Sequence, residues 1–474
     1  MKTLNPYITL SIIILLSVLI RIPNINRPLS KHNEFNAAMV LNVCNSWYIN
    51  GGAAYHNYTP TVYYGNPADY DYTHNVGVYN GKFYYPSMGS MQFVLPYYFC
   101  LVLGLPFTPL SLSILAMLLS CIAIFLFYNI LELLSPHGTY NLWYTLLFSL
   151  LPNMLWYFGN AYSHESLALV LYMAMGYYGI LFIYKKKTLS VIHSYILAAL
   201  VIVGILSDWL MVLVAATFVC IYLYQMYLTK AIPTTMLYVP ITIILASIVA
   251  VLLMVTLYSQ QLTIAGYIAL MKEKFLSRTY NGSSSKYNTI TILRLLSTYI
   301  LLNYGMLLGT CIFFCIKKTQ LHHFKCILCL LIPPLLYTIL LPQFAAENEY
   351  SVHKLSMPIM LLFATATMRM GKLYFYTLAT SILCIHIGIY YFINRPGTTN
   401  HNGDAYNAMQ VLGYTIKNKS TPTDHILVLG TPYNYAAVMY YAKRNIVCFS
   451  TQSQIDAYLT KHQITTYKIF TYPD

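Results

Sequence analysis

Residues 7–34 read YITLSIIILLSVLIRIPNINRPLSKHNE, an apolar run from Tyr7 to Ile20 followed about ten residues later by the polar cluster Lys31-His32-Asn33-Glu34. A bilayer core about 30 Å thick takes roughly 20 apolar residues per helix, so the run reads as a first span and the cluster as the head of an exposed loop. The run lacks a small-residue cleavage site, and its successors are equally apolar, which reads as an uncleaved signal-anchor. A carboxylate held at a membrane surface, with many further spans behind it, points to chemistry on a lipid-borne substrate.

Working outward, the whole chain shares this character. Hydrophobic residues make up 58% of 474 and charged residues 8%, and the mean hydropathy is +0.57. Composition of this kind excludes a soluble domain and implies a polytopic, mainly α-helical membrane protein. Short loops with Lys185-Lys186-Lys187, Lys230, Lys317-Lys318 with Lys325, and Arg369 with Lys372 mark cytoplasmic turns, because such loops retain positive charge. These anchors predict about eleven spans, near 7–21, 110–130, 140–158, 166–184, 190–207, 209–228, 233–258, 296–316, 326–342, 355–370 and 373–393. The N-terminus is then cytoplasmic and the C-terminus extracytoplasmic, in the inner or plasma membrane. Met91 to Gly104 is apolar but short and carries Pro96, so it reads as a re-entrant or interfacial helix, like Phe35 to Ile49 before it. With that choice all polar and acidic loops fall on one outer face.

After Arg395-Pro396-Gly397 the chain turns polar. His425 to Leu429 and the shorter runs Asn445 to Phe449 and Tyr467 to Phe470 read as strands. Ala405 to Lys417, Tyr433 to Ala442 and Thr451 to Lys461 read as helices. Two units follow: 1–395, a membrane-embedded catalytic unit whose first outer loop is 21–109, and 396–474, a small α/β unit outside the membrane. Gly430 after the first strand has neither a GxGxxG nor a Walker lysine motif around it, so this unit reads as structural.

Of thirteen acidic residues, Glu34, Glu165, Asp208, Glu347 and Glu349 stand where apolar helices emerge on the outer face, and carboxylates there are costly without a partner or a task. Glu34 follows His32, Glu165 follows His164, and Glu349 precedes His353 by four residues, which puts the last two on one face of an α-helix. Such groups suit an acid/base pair or a divalent metal ion. Asp208 and Glu347 read equally well as solvated helix-end carboxylates. The net charge is +14, and Lys272, Lys274, Arg278, Lys286 and Arg294 crowd one outer loop. Clustered cations hold a phosphate or pyrophosphate head group, or snorkel from interfacial helices. Nucleic acid is excluded as a partner by the position of these charges between spans. The segment 55–85 is rich in tyrosine, Tyr84 and Tyr85 included, and could stack on sugar rings, although with 48 tyrosines in the chain aromatic belts are ordinary. Cys326 and Cys329 beside His322 and His323 have zinc-like spacing but head an apolar helix, where buried thiols are the simpler reading.

The order of these features resembles the polytopic GT-C glycosyltransferases of the protein O-mannosyltransferase and lipid A aminoarabinose transferase type. The matching stretches are Arg27 to Ala38 (RPLSKHNEFNAA), Tyr84-Tyr85-Pro86-Ser87-Met88, and Ala161 to Leu169 (AYSHESLAL). The chain departs at Asn33, where the family has the first of two acidic residues, and at Ser87, where a second proline is usual. The resemblance implies sugar transfer from a polyprenyl-phosphate donor to an acceptor glycan, lipid or protein on the outer face. It implies Glu34 as general base, with Glu165 orienting the acceptor or holding a divalent metal. Lys31, His32, Asn33, His164, His353, Tyr84 and Tyr85 would then line the substrate site, and Lys354, Arg278 and Lys286 would face the departing lipid phosphate. A transporter or flippase of lipid-linked sugars, and an O-antigen ligase or polymerase, are the competing readings. A transporter would place charges near the midplane and show inverted repeats, neither of which is visible here.

Overall fold

The structure is a computed structural model that describes residues 5–25, 29, 35–65, 77–79, 82–85, 89–159, 162, 164–181, 191–229, 234–279, 287–315, 321–394, 403–430 and 435–471. The chain opens with α1 (Pro6–Arg21) and α2 (Phe35–Ile49). A small antiparallel sheet follows, β1 (Thr61–Val62), β2 (Gly77–Tyr79) and β3 (Lys82–Tyr84), in the order β1-β3-β2, and then α3 (Met91–Val102). The helical body comprises α4 (Pro109–Leu134), α5 (Asn141–Ser149), α6 (Pro152–Tyr157), α7 (His164–Gly179), α8 (Val191–Ile205), α9 (Leu210–Thr229) and α10 (Thr234–Leu262). It continues with α11 (Ile264–Arg278), α12 (Thr289–Cys315), α13 (Leu321–Leu340), α14 (Pro342–Glu347), a 3-10 turn over Glu349–Leu355, α15 (Ser356–Thr367) and α16 (Lys372–Ile389). The last part holds α17 (Gly403–Lys419), β4 (His425–Leu429), α18 (Tyr435–Ala442), β5 (Val447–Phe449), α19 (Gln452–His462) and β6 (Tyr467–Thr471).

This is an integral membrane protein. Four helical stretches among the described residues are long and apolar enough to cross a bilayer, Pro109–Leu134, Leu237–Leu262, Thr289–Phe314 and Lys372–Phe392. On α10, Ile241, Leu245, Ile248 and Leu252 form an exposed apolar stripe, which water would penalise and lipid tails accept. Shorter helices lie within the other expected spans, and those four stretches are the ones whose length and composition suffice among the described residues. The stretch 140–158 is broken between α5 and α6, where Pro152 starts the second piece.

The break is closed by Arg21, fully buried at the end of α1. Its guanidinium donates to the Ser17 carbonyl at 2.7 Å, the Met154 carbonyl at 3.0 Å and the Ser149 carbonyl at 3.4 Å, and to the Ser17 hydroxyl. Ser149 is the last residue of α5, and its carbonyl, left free by the helix end, is served inside the bundle by this cation together with the Ser17 hydroxyl at 3.3 Å.

At 12 residues α3 extends about 18 Å at 1.5 Å per residue, shorter than the bilayer core, as is the equally long α15. Its first residues dock on the turn between α8 and α9. The Met91 amide donates to the Leu206 carbonyl and Gln92 Nε2 donates to the Ser207 carbonyl, both at 3.1 Å. Gln92 Oε1 in turn accepts from Tyr162 Oη at 2.8 Å. Gly89 permits the approach, because a Cβ there would fall onto the Leu206 carbonyl.

α2 is no surface helix. Residues on every side of it are buried, from Asn36 through Trp47, because it lies between the helical body and the C-terminal α/β part. Asn42 is the pivot: its Nδ2 donates to the Ala436 carbonyl at 2.8 Å while its Oδ1 accepts from Tyr64 Oη at 2.7 Å. The Leu29 amide donates to Tyr441 Oη at 2.9 Å, and Tyr440 Oη donates to the Phe107 carbonyl at 2.9 Å. Within the C-terminal part the three strands are parallel in the order β5-β4-β6, with β4 central and buried. Parallel neighbours require helical crossovers, which α18 and α19 provide.

Candidate active site

Three side chains from distant elements meet at one end of the bundle. Glu165 stands in the first turn of α7, where the positive end of the helix dipole favours a carboxylate. Asp208 occupies the turn between α8 and α9, and its Oδ1 accepts the Leu210 amide at 2.7 Å, satisfying one of the orphan donors of the α9 N-terminus. Lys354 comes from the 3-10 turn ahead of α15. Its Nζ lies 3.0 Å from Glu165 Oε2 and 3.4 Å from Asp208 Oδ1. The Tyr337 ring of α13 caps the same ammonium, 3.4 Å from Nζ to the ring centroid. All three charged side chains are at most 3% exposed. Lys354 makes no aligned hydrogen bond among the described residues, so the attraction is that of charge at short range in a water-poor setting. Such a pairing offsets desolvation that an isolated buried charge could not bear.

Around the trio lies a second ring of groups. The Arg278 guanidinium closes α11 and stacks on the Phe344 ring of α14 at 4.6 Å. Burial pushes the Tyr350 phenol well up, while its hydrogen bond from Asn36 and the nearby Arg278 pull it down and Tyr85 and Glu165 add to the rise. Asn36 Nδ2 donates to Tyr350 Oη at 3.0 Å, and Phe35 packs its ring 6.2 Å from that of Tyr85. The start of α2, directly after residue 34, therefore belongs to this same neighbourhood. Lys274, one turn before Arg278, is also buried. Burial, and secondarily Arg278, draws its pKa down to about 7, with Glu273 acting the other way.

The expected site residues divide as follows. Glu165, Lys354 and Arg278 converge. Lys31, His32, Asn33, Glu34 and Lys286 lie outside the described residues, as does the side chain of His164. His353 is buried beside Lys354, its ring 5.5 Å from Tyr157 and 5.2 Å from Phe158. Burial, then the charges of Lys354 and Arg21, brings its pKa to about 3, which keeps the ring neutral. The α-helical sharing of a face by Glu349 and His353 does not arise, since a 3-10 turn has three residues per turn and separates positions four apart. Tyr84 and Tyr85 do not present open rings: both are buried, Tyr84 Oη donating to Gln261 Oε1 at 3.2 Å and Tyr85 packing on Phe35 and Phe93.

Asp208 is the member for which the sequence admits a solvated helix-end carboxylate as readily as a functional one. The available signal was a single aspartate between two apolar helices, which the cost of intramembrane charge marks as functional. Tyr337, Tyr350 and Phe344 carried no signal at all, being three aromatics in a chain full of them. Among the described residues no three His, Cys, Asp or Glu side chains gather as a metal site. Cys326 and Cys329 are partly buried, and the side chains of His322 and His323 lie outside the described residues.

No family model matches the sequence, and no curated protein matches it. Solved structures do match. The oligosaccharyltransferase of Archaeoglobus fulgidus, tethered with an acceptor peptide, superposes with a TM-score of 0.51 at 12% identity over 94% of this chain and 64% of that one. ArnT from Cupriavidus metallidurans, bound to undecaprenyl phosphate, superposes with a TM-score of 0.63 at 8% identity over 98% of this chain and 90% of that one. The arabinofuranosyltransferase AftD from Mycobacteria gives a TM-score of 0.52 at 12% identity, with 89% of this chain and 29% of that one covered. The chain thus spans less than two thirds of the archaeal enzyme's length. What these likenesses show is the fold, that of the GT-C glycosyltransferases.

Proposed function

We propose that this chain, carrying the GT-C fold, is a membrane glycosyltransferase that moves a sugar from a polyprenyl-phosphate-linked donor to an acceptor on the outer face of the membrane. The observation that carries the reading is the buried Glu165–Lys354–Asp208 cluster at the end of the bundle where α2 begins. Structures with this fold were solved with undecaprenyl phosphate, with dolichol phosphate and with an acceptor peptide, which supports a lipid-linked donor here.

In this reading the Glu34 carboxylate takes the proton of the acceptor hydroxyl as its oxygen bonds to the anomeric carbon. The bond from that carbon to the phosphate oxygen breaks, and the lipid phosphate departs with the electron pair. General-base assistance of this kind contributes on the order of a hundred- to ten-thousand-fold. Arg278 is the described cation best suited to the departing phosphate, since Lys354 is engaged by two carboxylates, and Lys286 would join it from the same loop. Glu165 orients the acceptor. Lys31, His32, Asn33 and His164 line the approach. The site faces outward, with the N-terminus in the cytoplasm and the α/β unit of residues 396–474 outside.

The test is to purify the full chain and supply polyprenyl-phosphate sugars with envelope lipid and glycan acceptors. Release of free polyprenyl phosphate with a glycosylated product supports the reading. A deletion strain should accumulate the polyprenyl-phosphate sugar in its lipid extract by mass spectrometry. Unaltered lipid pools, together with donor transport and no transfer in vesicles, would replace the enzyme with a flippase.

A further inference from the structure

The surroundings of Lys354 Nζ have a particular chemistry. Two carboxylate oxygens, from α7 and from the α8–α9 turn, lie 3.0 and 3.4 Å away, and the third wall is the face of Tyr337 at 3.4 Å. An aromatic face attracts an ammonium through its quadrupole. It has no lone pair for a metal. Hard divalent cations ask for about six to eight oxygen ligands at roughly 2.0–2.6 Å, and the described surroundings offer two carboxylates with an amine already between them. No third acidic, histidine or cysteine side chain closes the set among the described residues. The fit to a metal ion fails on donor count and on charge, while the fit to an ammonium is good on both.

We propose that Lys354 is a built-in cation, holding the place between Glu165 and Asp208 that a divalent metal would otherwise take, so that this chain acts without a metal ion at that position. Only the consequence for transfer rests on the glycosyltransferase reading; the occupancy of the carboxylate pair does not. Deleting the amine leaves two carboxylates facing one emptied position in a water-poor pocket. Two negative groups held that way are relieved by protonation or by recruiting a cation, and a hard divalent ion with water as its other ligands satisfies both.

The experiment measures Mn2+ alone on the full chain purified in detergent, by electron paramagnetic resonance, with no substrate present. Wild type should hold no Mn2+, and Lys354→Arg, which keeps a cation, should behave the same. Lys354→Met should rise from none to about one Mn2+ per chain, and adding Glu165→Gln should abolish that site. A wild-type Mn2+ site that Glu165→Gln or Asp208→Asn removes would overturn the proposal. So would a folded Lys354→Met that stays metal-free. If Lys354→Met does not survive size-exclusion chromatography, the wild-type and Lys354→Arg titrations decide, since the proposal forbids in both any Mn2+ that Glu165→Gln or Asp208→Asn removes. In parallel, chelator-treated wild type should transfer sugar at its full rate. Transfer absent with and without added metal would sink the glycosyltransferase reading and leave the Mn2+ result standing.

Discussion

Asp208 Oδ1 serves the Leu210 amide at 2.7 Å and the Lys354 ammonium at 3.4 Å, and substitution can separate the two tasks. Asp208→Asn keeps an acceptor for the helix start but removes the charge, leaving Lys354 with a single carboxylate. Loss of one partner in a buried ionic cluster costs about 3–5 kcal/mol, which should appear as a lower melting temperature in detergent. Asp208→Ala should lose roughly 1 kcal/mol more, the worth of the cap. Glu34→Gln is the complementary case, expected to leave expression and melting intact while transfer falls about a hundred- to ten-thousand-fold. Full activity in that variant would remove the base assigned here. Its companion Asn33→Asp, which restores the acidic pair of the resembled family, should be tolerated. Lys274 supplies a pH signature. Burial sets its native pKa at about 7 against an ordinary 10.5, so between those values the unfolded chain holds the extra proton. Stability then rises with pH across that window, by at most about 1.4 kcal/mol per unit. Melting curves of Lys274→Met from pH 7 to 9 should show that slope flattened, and an unchanged slope would assign it to another group.

At the scale of elements, the site depends on how α3 grips the turn that carries Asp208. Gly89→Ala would push a methyl group onto the Leu206 carbonyl, driving α3 off the turn and carrying Asp208 with it. Overpacking of this kind costs about 1–3 kcal/mol, and activity should fall further than stability. Equal activity with a normal melting point would show that the turn is held by other contacts. Elements were the most legible level of the sequence. Phe35 to Ile49, the short Met91 helix and the strand His425 to Leu429 occur where hydrophobic runs, Pro96 and turn residues place them, because those signals are local. The burial of α2 on all sides was not legible, since it is imposed by α18, almost four hundred residues later. Nor was the Asp208 pairing, because a carboxylate's task is created by the amine that reaches it, and Lys354 arrives from another element. The break after Leu150 was masked by unbroken hydrophobicity; its only trace was Pro152, and its remedy, Arg21, lay on a different helix.

Across the whole molecule, the ends of the helices sort into two sets. Glu165, Asp208, Arg278 and Lys354 gather at one end. At the other, Tyr140 Oη donates to the Met370 carbonyl at 2.9 Å and the Tyr144 and Thr367 hydroxyls bond at 3.0 Å, tying the α4–α5 turn to the α15–α16 turn near Arg369. In the proposed orientation Arg369 and Lys372 are cytoplasmic, because short cytoplasmic loops retain positive charge, and the acidic end is the outer one. Reporter fusions after Lys187 and after Asp474 should therefore lie on opposite sides of the membrane, the first cytoplasmic. The same side for both would mean that the Met91 helix crosses the bilayer and that the order of spans must be redrawn. The seat of α2 also sets a timetable. Asn42 waits for the Ala436 carbonyl, 394 residues later in the chain. At roughly 5–20 residues per second that partner is made about 20–80 s after it. A nascent chain inserted in the membrane must therefore keep this apolar helix and its tyrosine loop safe from other partners until the last strands emerge, so synthesis stopped short of them should yield a protein recognised by quality-control proteases before it ever meets a substrate.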